Sequence, residues 1–388
     1  MSIRTYNFIL FSIVGMFSIL SAINPHYLWA APSVSSVSGA LSNGQTITVT
    51  GSGFGTTGPN IVLFDDFEKG TNGNTIPIGE GSAQIGHWDI KGSGPASQSA
   101  YSNTYKNSGN LSWATDWYCP TCGTEDGPNN FRQITLPNAT DVYVSHWMYV
   151  PVGWVYPGAG PPDIAINWKT FWMWDSAAGF GASDVWTVYN ADWAWHLGCS
   201  SDFGDCSGRI SLNEPDSYPH VIPGQWSRWE IYAKGRYTSN GNYTFWVTDA
   251  THPRYAVQDV TGRTLSNASH TYKTISMAPY ARPQPRSGTV HDSINYQDDI
   301  YIATGPGARA RVEIGNQSTY ANCTNLAVST VTSWADGSIT ATVRQGSLAN
   351  GSAYLFVIDS NGNVSNGYSI TIGGASRPDP PTNLRIIN

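Results

Sequence analysis

Apolar and polar residues alternate around Val34, Val37, Ile47 and Val49, with serine and threonine between them. A two-residue period of this kind predicts half-buried strands. Gly51, Gly53 and Gly55 surround Phe54, a pattern for a turn in which glycine takes positive φ while the phenylalanine plugs a core. From Ile61-Val-Leu-Phe-Asp-Asp-Phe-Glu68 onward the apolar segments lengthen and become aromatic. Further strands are predicted over Val142–Val150, Ile164–Trp174, Val185–Tyr189, Trp226–Lys234, Tyr243–Thr248 and His291–Ile302. Turns rich in Gly, Asn, Pro and Asp separate them, and Asn240-Gly-Asn242 marks a hairpin. Sustained helical periodicity is absent after the first thirty residues, so the expected class is all-β.

Those first thirty residues change the picture of location. Arg4 precedes a nearly unbroken apolar run from Phe8 to Ile23, and Leu28-Trp-Ala30 offers a small residue for cleavage. This is the layout of a secretory leader. The run is shorter than the roughly 20 residues a spanning helix needs, so a secreted or cell-surface chain with no membrane span after cleavage is expected. Its loss removes Arg4 and no acid, making the net charge of −7 slightly more negative. An acidic chain argues against a nucleic-acid partner. Only 12% of residues are charged, while 16 tryptophans and 21 tyrosines are present, a profile of extracellular β-proteins. The length allows one large and one small sandwich. Of the five cysteines, Cys199 with Cys206 and Cys119 with Cys122 are spaced for local disulfides, and Cys323 reads as a buried thiol. The glycine-rich turn at 51–55 lacks a following helix and a Lys-Ser/Thr pair, so it does not read as a phosphate loop.

Three stretches near the C-terminus complement the N-terminal one. Pro32 to Gly55, Arg311-Val-Glu-Ile-Gly315, Ser333 to Val343 and Ala353 to Asn366, placed end to end, resemble one IPT/TIG domain, an immunoglobulin-like module. The resemblance implies a discontinuous domain, 32–63 plus 308–373, carrying an insert at 64–305 and followed by a Pro-rich tail at 374–388. Within the insert, Phe64-Asp-Asp-Phe-Glu68, Gly224-Gln-Trp-Ser-Arg-Trp-Glu-Ile-Tyr-Ala-Lys234 and Tyr296-Gln-Asp-Asp-Ile-Tyr-Ile302 resemble a concanavalin-like jelly roll, most like polysaccharide-lyase-like and laminarinase-like domains. That fold implies that the first and last strands of the insert lie side by side.

Eight of the sixteen tryptophans fall between Trp147 and Trp195. Alternation over 164–174 puts Trp168, Trp172 and Trp174 on one face, and Asn167, Lys169, Phe171, Met173 and Asp175 on the other. Aromatic rings stack on the apolar faces of sugars, and neighbouring amides hold hydroxyls. Trp168, Trp172, Trp174, Asn167, Trp193, Trp195 and His196 are therefore glycan-binding candidates, with sandwich core as the alternative use of the tryptophans. A laminarinase-type glycosidase would carry two carboxylates on one strand face in a Glu-x-Asp-x-x-Glu pattern. None of the six glutamates after the leader is so spaced. A lyase needs a base and a group that neutralises a uronate carboxylate, for which His146, Lys169, Tyr189 and Arg228 are candidates. The lyase families' Gln-x-His and Arg-x-Glu-x-Arg strands are absent as written. Asp65, Asp66 and Glu68 open the insert and Asp298 and Asp299 close it, hard oxygen ligands suited to a structural Ca²⁺ if the strands meet. Three functions follow: a protein that binds a polysaccharide or cell-surface glycan, a polysaccharide lyase, or an adhesive surface protein whose tryptophans serve only the core.

Overall fold

The computed structural model describes residues 31–94, 98–118, 130–153, 168–175, 184–189, 195–198, 211–213, 222–281 and 294–373. Asn167, Trp193, Cys119, Cys122, Cys199, Cys206, the leader and the tail lie outside the described residues, and so do the side chains of Trp168, Lys169, Tyr189, Trp195 and His196. In chain order the strands are β1 (Ser33–Gly39), β2 (Thr46–Ser52), β3 (Asn60–Asp65), β4 (Ile90–Lys91), β5 (Ser99–Ser102), β6 (Ser112–Asp116), β7 (Arg132–Ala139) and β8 (Asp141–Tyr149). Next come β9 (Trp168–Trp174), β10 (Asp184–Tyr189), β11 (Trp195–Gly198), β12 (Ser211–Asn213), β13 (Trp226–Lys234), β14 (Gly241–Asp249), β15 (Tyr255–Gly262), β16 (Tyr272–Ala281) and β17 (Ile294–Thr304). The last five are β18 (Arg311–Gly315), β19 (Leu326–Ala335), β20 (Ser338–Thr342), β21 (Gly351–Ile358) and β22 (Tyr368–Ile372). The expected all-β class is what the structure shows. No helix among the described residues is long and apolar enough to cross a membrane.

Two sheets form the larger sandwich. One has the order β12-β11-β10-β9-β16-β7-β4 and the other β15-β14-β13-β8-β17-β6-β5, with β3 also paired to β17. Alternation sends one side of each strand inward. Ile134, Phe171, Met173 and Ile275 from the first sheet meet Val144, Trp229, Phe245 and Ile300 from the second in one core. Trp88, Trp113 and Trp117 extend that core and are fully buried. Each such ring removes roughly 150–250 Å² from water, worth on the order of 4–6 kcal/mol at about 25 cal/mol per Å². β3 lies antiparallel to β17, with Asp65 opposite Ile300 and Phe64 opposite Tyr301, the side-by-side placement the resemblance implies.

The third sheet draws on both ends of the chain, in the order β1-β2-β20-β19-β18-β21-β22. Thr46 to Thr50 of β2 pair with Ser338 to Thr342 of β20. β19 is shared: Leu326–Ser329 pair with β18, and Thr330–Ala335 pair with β20. The sheet therefore folds over at β19, and its two halves enclose Val34, Ile47, Val49, Phe54, Val312 and Leu355 in a core of their own. Phe54, from the glycine-rich turn, is fully buried there and meets Trp334 edge-on at 6.4 Å.

The two passages of chain between the sandwiches cross closely. A Cβ on Gly307 would lie 1.9 Å from the carbonyl oxygen of Gly58, so only glycine permits the crossing. Gly307→Ala is expected to lower the unfolding free energy by about 1–3 kcal/mol, measured by urea titration.

This smaller sandwich covers the outer face of the β13–β8–β17 sheet. Phe64, Tyr143, Tyr232, Trp246 and Tyr301 from the sheet pack with Ala308 and Val328. All nine residues of β8 are consequently buried. One side of that strand faces the sandwich core and the other faces the second sandwich.

Candidate functional site

Strand β9 settles which side of the tryptophan-rich alternation faces inward. Phe171 and Met173 belong to the core, so Trp172 and Trp174 project from the opposite face. Trp172 is half-buried and Trp174 is buried. The two rings meet edge-on at 5.3 Å, each fixing the other's orientation. The backbone of Trp168 pairs with Ala281.

Register builds a row across this outer face. Trp172 lies opposite Ser276 on β16 and opposite Trp186 on β10, and Ser276 lies opposite Gln133 on β7. At about 4.8 Å per strand, the row from Gln133 to Trp186 spans roughly 14 Å. Ile134 and Ile275 point into the core, which turns Gln133 and Ser276 outward. The Ser276 hydroxyl donates to Gln133 Oε1 at 2.7 Å. That bond orients the amide and leaves its NH₂ group directed away from Ser276. Ser276 itself is buried and acts through Gln133, while the Trp172 indole and the oriented amide can cover the apolar face of a sugar and pair its hydroxyls. Sequence reasoning did not single out Gln133 or Ser276. Their polar-apolar alternation was readable, but their register beside β9 was not.

The four lyase candidates separate. Lys169 and Tyr189 come near one another in backbone register, since Lys169 lies opposite Val188. His146 and Arg228, by contrast, stand on adjacent strands but project to opposite sides. His146 pairs in register with Trp229, and Arg228 with Trp147. His146 enters the core, edge-on to Trp229 at 5.6 Å, and its Nδ1 finds no hydrogen-bond partner. Burial and the Arg228 charge push its pKa down to about 3, so the ring stays neutral. It cannot reach a substrate from there.

Arg228 is taken up by the junction between the sandwiches. Its Nη2 donates to Glu313 Oε1 at 2.7 Å and its Nη1 to Glu313 Oε2 at 3.3 Å. Arg311 Nε donates to the same Glu313 Oε1 at 2.6 Å, and the Tyr320 hydroxyl to Oε2 at 2.8 Å. Arg254 Nε donates to Glu230 Oε2 at 2.8 Å. Burial opposes the ionisation of both glutamates, but the surrounding guanidinium groups outweigh it and hold both carboxyls below their ordinary range. His146 and Arg228, two of the four lyase candidates, are thus held in separate surroundings. One is a core residue and the other a structural cation bound on two sides.

Of the carboxylates singled out for Ca²⁺, Asp66, Glu68 and Asp299 line one cavity, and the oxygens of the set take hydrogen bonds from their surroundings. Asp65 accepts from the Phe67 N–H and from Trp88 Nε1, and burial raises its pKa to about 7. Asp298 accepts from the N–H groups of Asn107 and Ser108, and Asp299 from the side chains of those two residues. Glu68 accepts from the N–H groups of Asn110 and Leu111. Asp66, Glu68 and Asp299 line a cavity of about 230 Å³ whose cation is Arg344, 3.5 Å from Asp66. No group of three or more metal-ligating side chains converges among the described residues. This donor set does not fit Ca²⁺, because amide N–H groups and Arg344 already occupy it. Cys323 is buried as a free thiol, its pKa raised to about 11 by burial.

No family model matches the chain, and no curated protein matches it. Solved structures do. An alginate lyase of family PL-14 from Aplysia kurodai aligns with a TM-score of 0.41 at 11% identity, covering 60% of this chain and 97% of that one. An endo-β-1,4-glucuronan lyase from the fungus Trichoderma reesei aligns at 0.39 and 14%, covering 56% and 91%. The K3 adhesin domain of Lys-gingipain from Porphyromonas gingivalis aligns at 0.26 and 11%, covering 63% and 99%.

Proposed function

We propose that this protein binds a polysaccharide on the outer face of the β7–β16–β9–β10 sheet. The observation that carries the reading is the partition on β9. Phe171 and Met173 serve the core, which places Trp172 on the outer face, in register with Ser276 and, one strand further on, Gln133. On the opposite sheet, the outer face of β8 and β17 is packed against the smaller sandwich. In this reading residues 32–63 and 308–373 form an immunoglobulin-like carrier, the insert at 64–305 presents the glycan face, and removal of the leader delivers the protein outside the cell.

Trp172→Ala tests the assignment. A sugar-stacking indole lost from the face weakens retention in polysaccharide affinity electrophoresis about tenfold or more, equivalent to ~1.4 kcal/mol, with the unfolding midpoint nearly unchanged. A core tryptophan would instead cost about 3–5 kcal/mol of stability. Unchanged retention, or unfolding without a specific loss of binding, overturns the proposal. Incubation of the wild-type protein with alginate, pectate or glucuronan provides the second arm. A rise in absorbance from an unsaturated product would reassign the face from holding its glycan to cleaving it.

A further inference from the structure

A second recess lies where the β13–β14–β15 edge of the larger sandwich meets the loops of the smaller one. It has a volume of about 750 Å³, within the range of ligand sites. Four cations line it, Lys234, Arg236, Arg254 and Arg309, against two carboxylates, Asp141 and Asp259. A locally basic recess is unexpected on a chain whose net charge is −7.

Two of the cations are already engaged. Arg236 Nη1 donates to Asp141 Oδ1 at 2.8 Å, and Arg254 to Glu230. Arg309 is different. Its guanidinium lies over the Tyr232 ring at 4.8 Å and the Trp246 ring at 5.8 Å. Behind it stands Gly362, where a Cβ would fall 2.2 Å from Arg309 Cζ. Gly362 has a φ of 89°, in a turn held by Asp359, whose carboxylate accepts from the Asn361 and Asn363 N–H groups. Aromatic rings and a glycine therefore fix the guanidinium plane, while no acceptor among the described residues takes its N–H groups. Burial and the neighbouring Arg311 and Arg254 charges depress its pKa, against the weaker pull of Tyr232 and Asp259. The Lys234 ammonium likewise has no partner among the described residues.

We propose that this recess binds an acidic oligosaccharide, with Arg309 and Lys234 taking a carboxylate of the sugar. A planar, pre-oriented guanidinium suits a carboxylate in a two-pronged arrangement. The remaining wall is made for hydroxyls rather than for apolar surface: Asn240, Asn242, Thr244, Thr261, Ser360 and Asn361 line it. Asp259 is held on that wall by Asn242 Nδ2 and the Thr244 hydroxyl, and it excludes a carboxylate from that side. The recess would thus select a ligand with its charge at the Arg309 end and hydroxyls at the other. This site is separate from the Trp172 face and does not depend on it.

Calorimetric titration with a galacturonate hexasaccharide, beside neutral cellohexaose, tests the proposal. Arg309→Gln is expected to weaken binding of the acidic probe at least tenfold. Lys234→Gln weakens it several-fold. Raising sodium chloride from 20 to 500 mM weakens the acidic interaction at this site. Folded Arg309→Gln and Lys234→Gln proteins that bind the acidic probe like the wild type would overturn the site. Loss of that binding in Trp172→Ala would move the acidic ligand to the other face. Inorganic sulfate competing mole for mole would reduce the recess to a small-anion site and refute the saccharide assignment.

Discussion

Glu313→Gln is expected to lower the unfolding free energy by about 3–5 kcal/mol, the cost of breaking a buried ion pair by removing one partner. Glu313 lies fully buried between Arg228 and Arg311, and it receives hydrogen bonds from both and from Tyr320. The amide keeps the size of the carboxylate and loses its charge. Two guanidinium groups then remain in a dry junction, with Glu230, 3.7 Å from Arg228 and 3.6 Å from Arg311, as the nearest other carboxylate. Urea unfolding followed by tryptophan fluorescence measures the loss. Arg228→Met is also destabilising, but adding it to Glu313→Gln costs less than the sum, because the second change removes a charge the first left unpaired. Additive losses would show that the pair is not coupled.

His146→Phe gives the second large effect, and it depends on pH. The folded pKa of His146 is about 3 against an ordinary 6.5. Between these values the unfolded chain takes up a proton that the folded chain refuses. The contribution of the neutral ring is therefore fully present above pH 6.5 and is lost as pH falls towards 3. Relative to His146→Phe, the wild type should lose about 1.4 kcal/mol for each pH unit in that window. Asp65, raised to about 7, and Asp299, raised to about 6, act in the opposite direction, so the difference between the two proteins is the quantity to measure. At neutral pH the phenylalanine should gain about 1 kcal/mol, since it removes a buried nitrogen without a partner. Parallel stability curves from pH 7 to 4 would contradict the placement of His146 in the core.

Much of the strand pattern was legible. The alternation over Trp226–Lys234 matches β13 at both ends, and Val142–Val150 is displaced by one residue from β8. For Phe171 and Met173 on one side and Trp172 and Trp174 on the other, alternation divided β9 into two sets of side chains. It could not tell which set was inside, because tryptophan is bulky enough to suit either place, and the packing of Phe171 and Met173 decided it. Arg228 misled for a different reason. Its hydrogen-bonded partner Glu313 is 85 residues away and belongs to the other sandwich, and the nearby Glu230, 3.7 Å from it, does not by itself signal that its charge is satisfied. Arg309 was invisible as a site for the converse reason. Its freedom comes from the geometry of Gly362 and Tyr232, which a string of letters does not contain.

The sheet built from both chain ends also sets an order of events during folding. Val34 donates its N–H to Asn366, a partner 332 residues later, and β2 waits for β20 in the same way. At a synthesis rate of about 5–20 residues per second, the first two strands spend tens of seconds with an unpaired hydrogen-bonding edge. Contacts so distant in the chain slow folding, and an open edge invites pairing with other chains. Serine and threonine at alternate positions of β1 and β2 keep that waiting hairpin poorly adhesive until its late partner emerges.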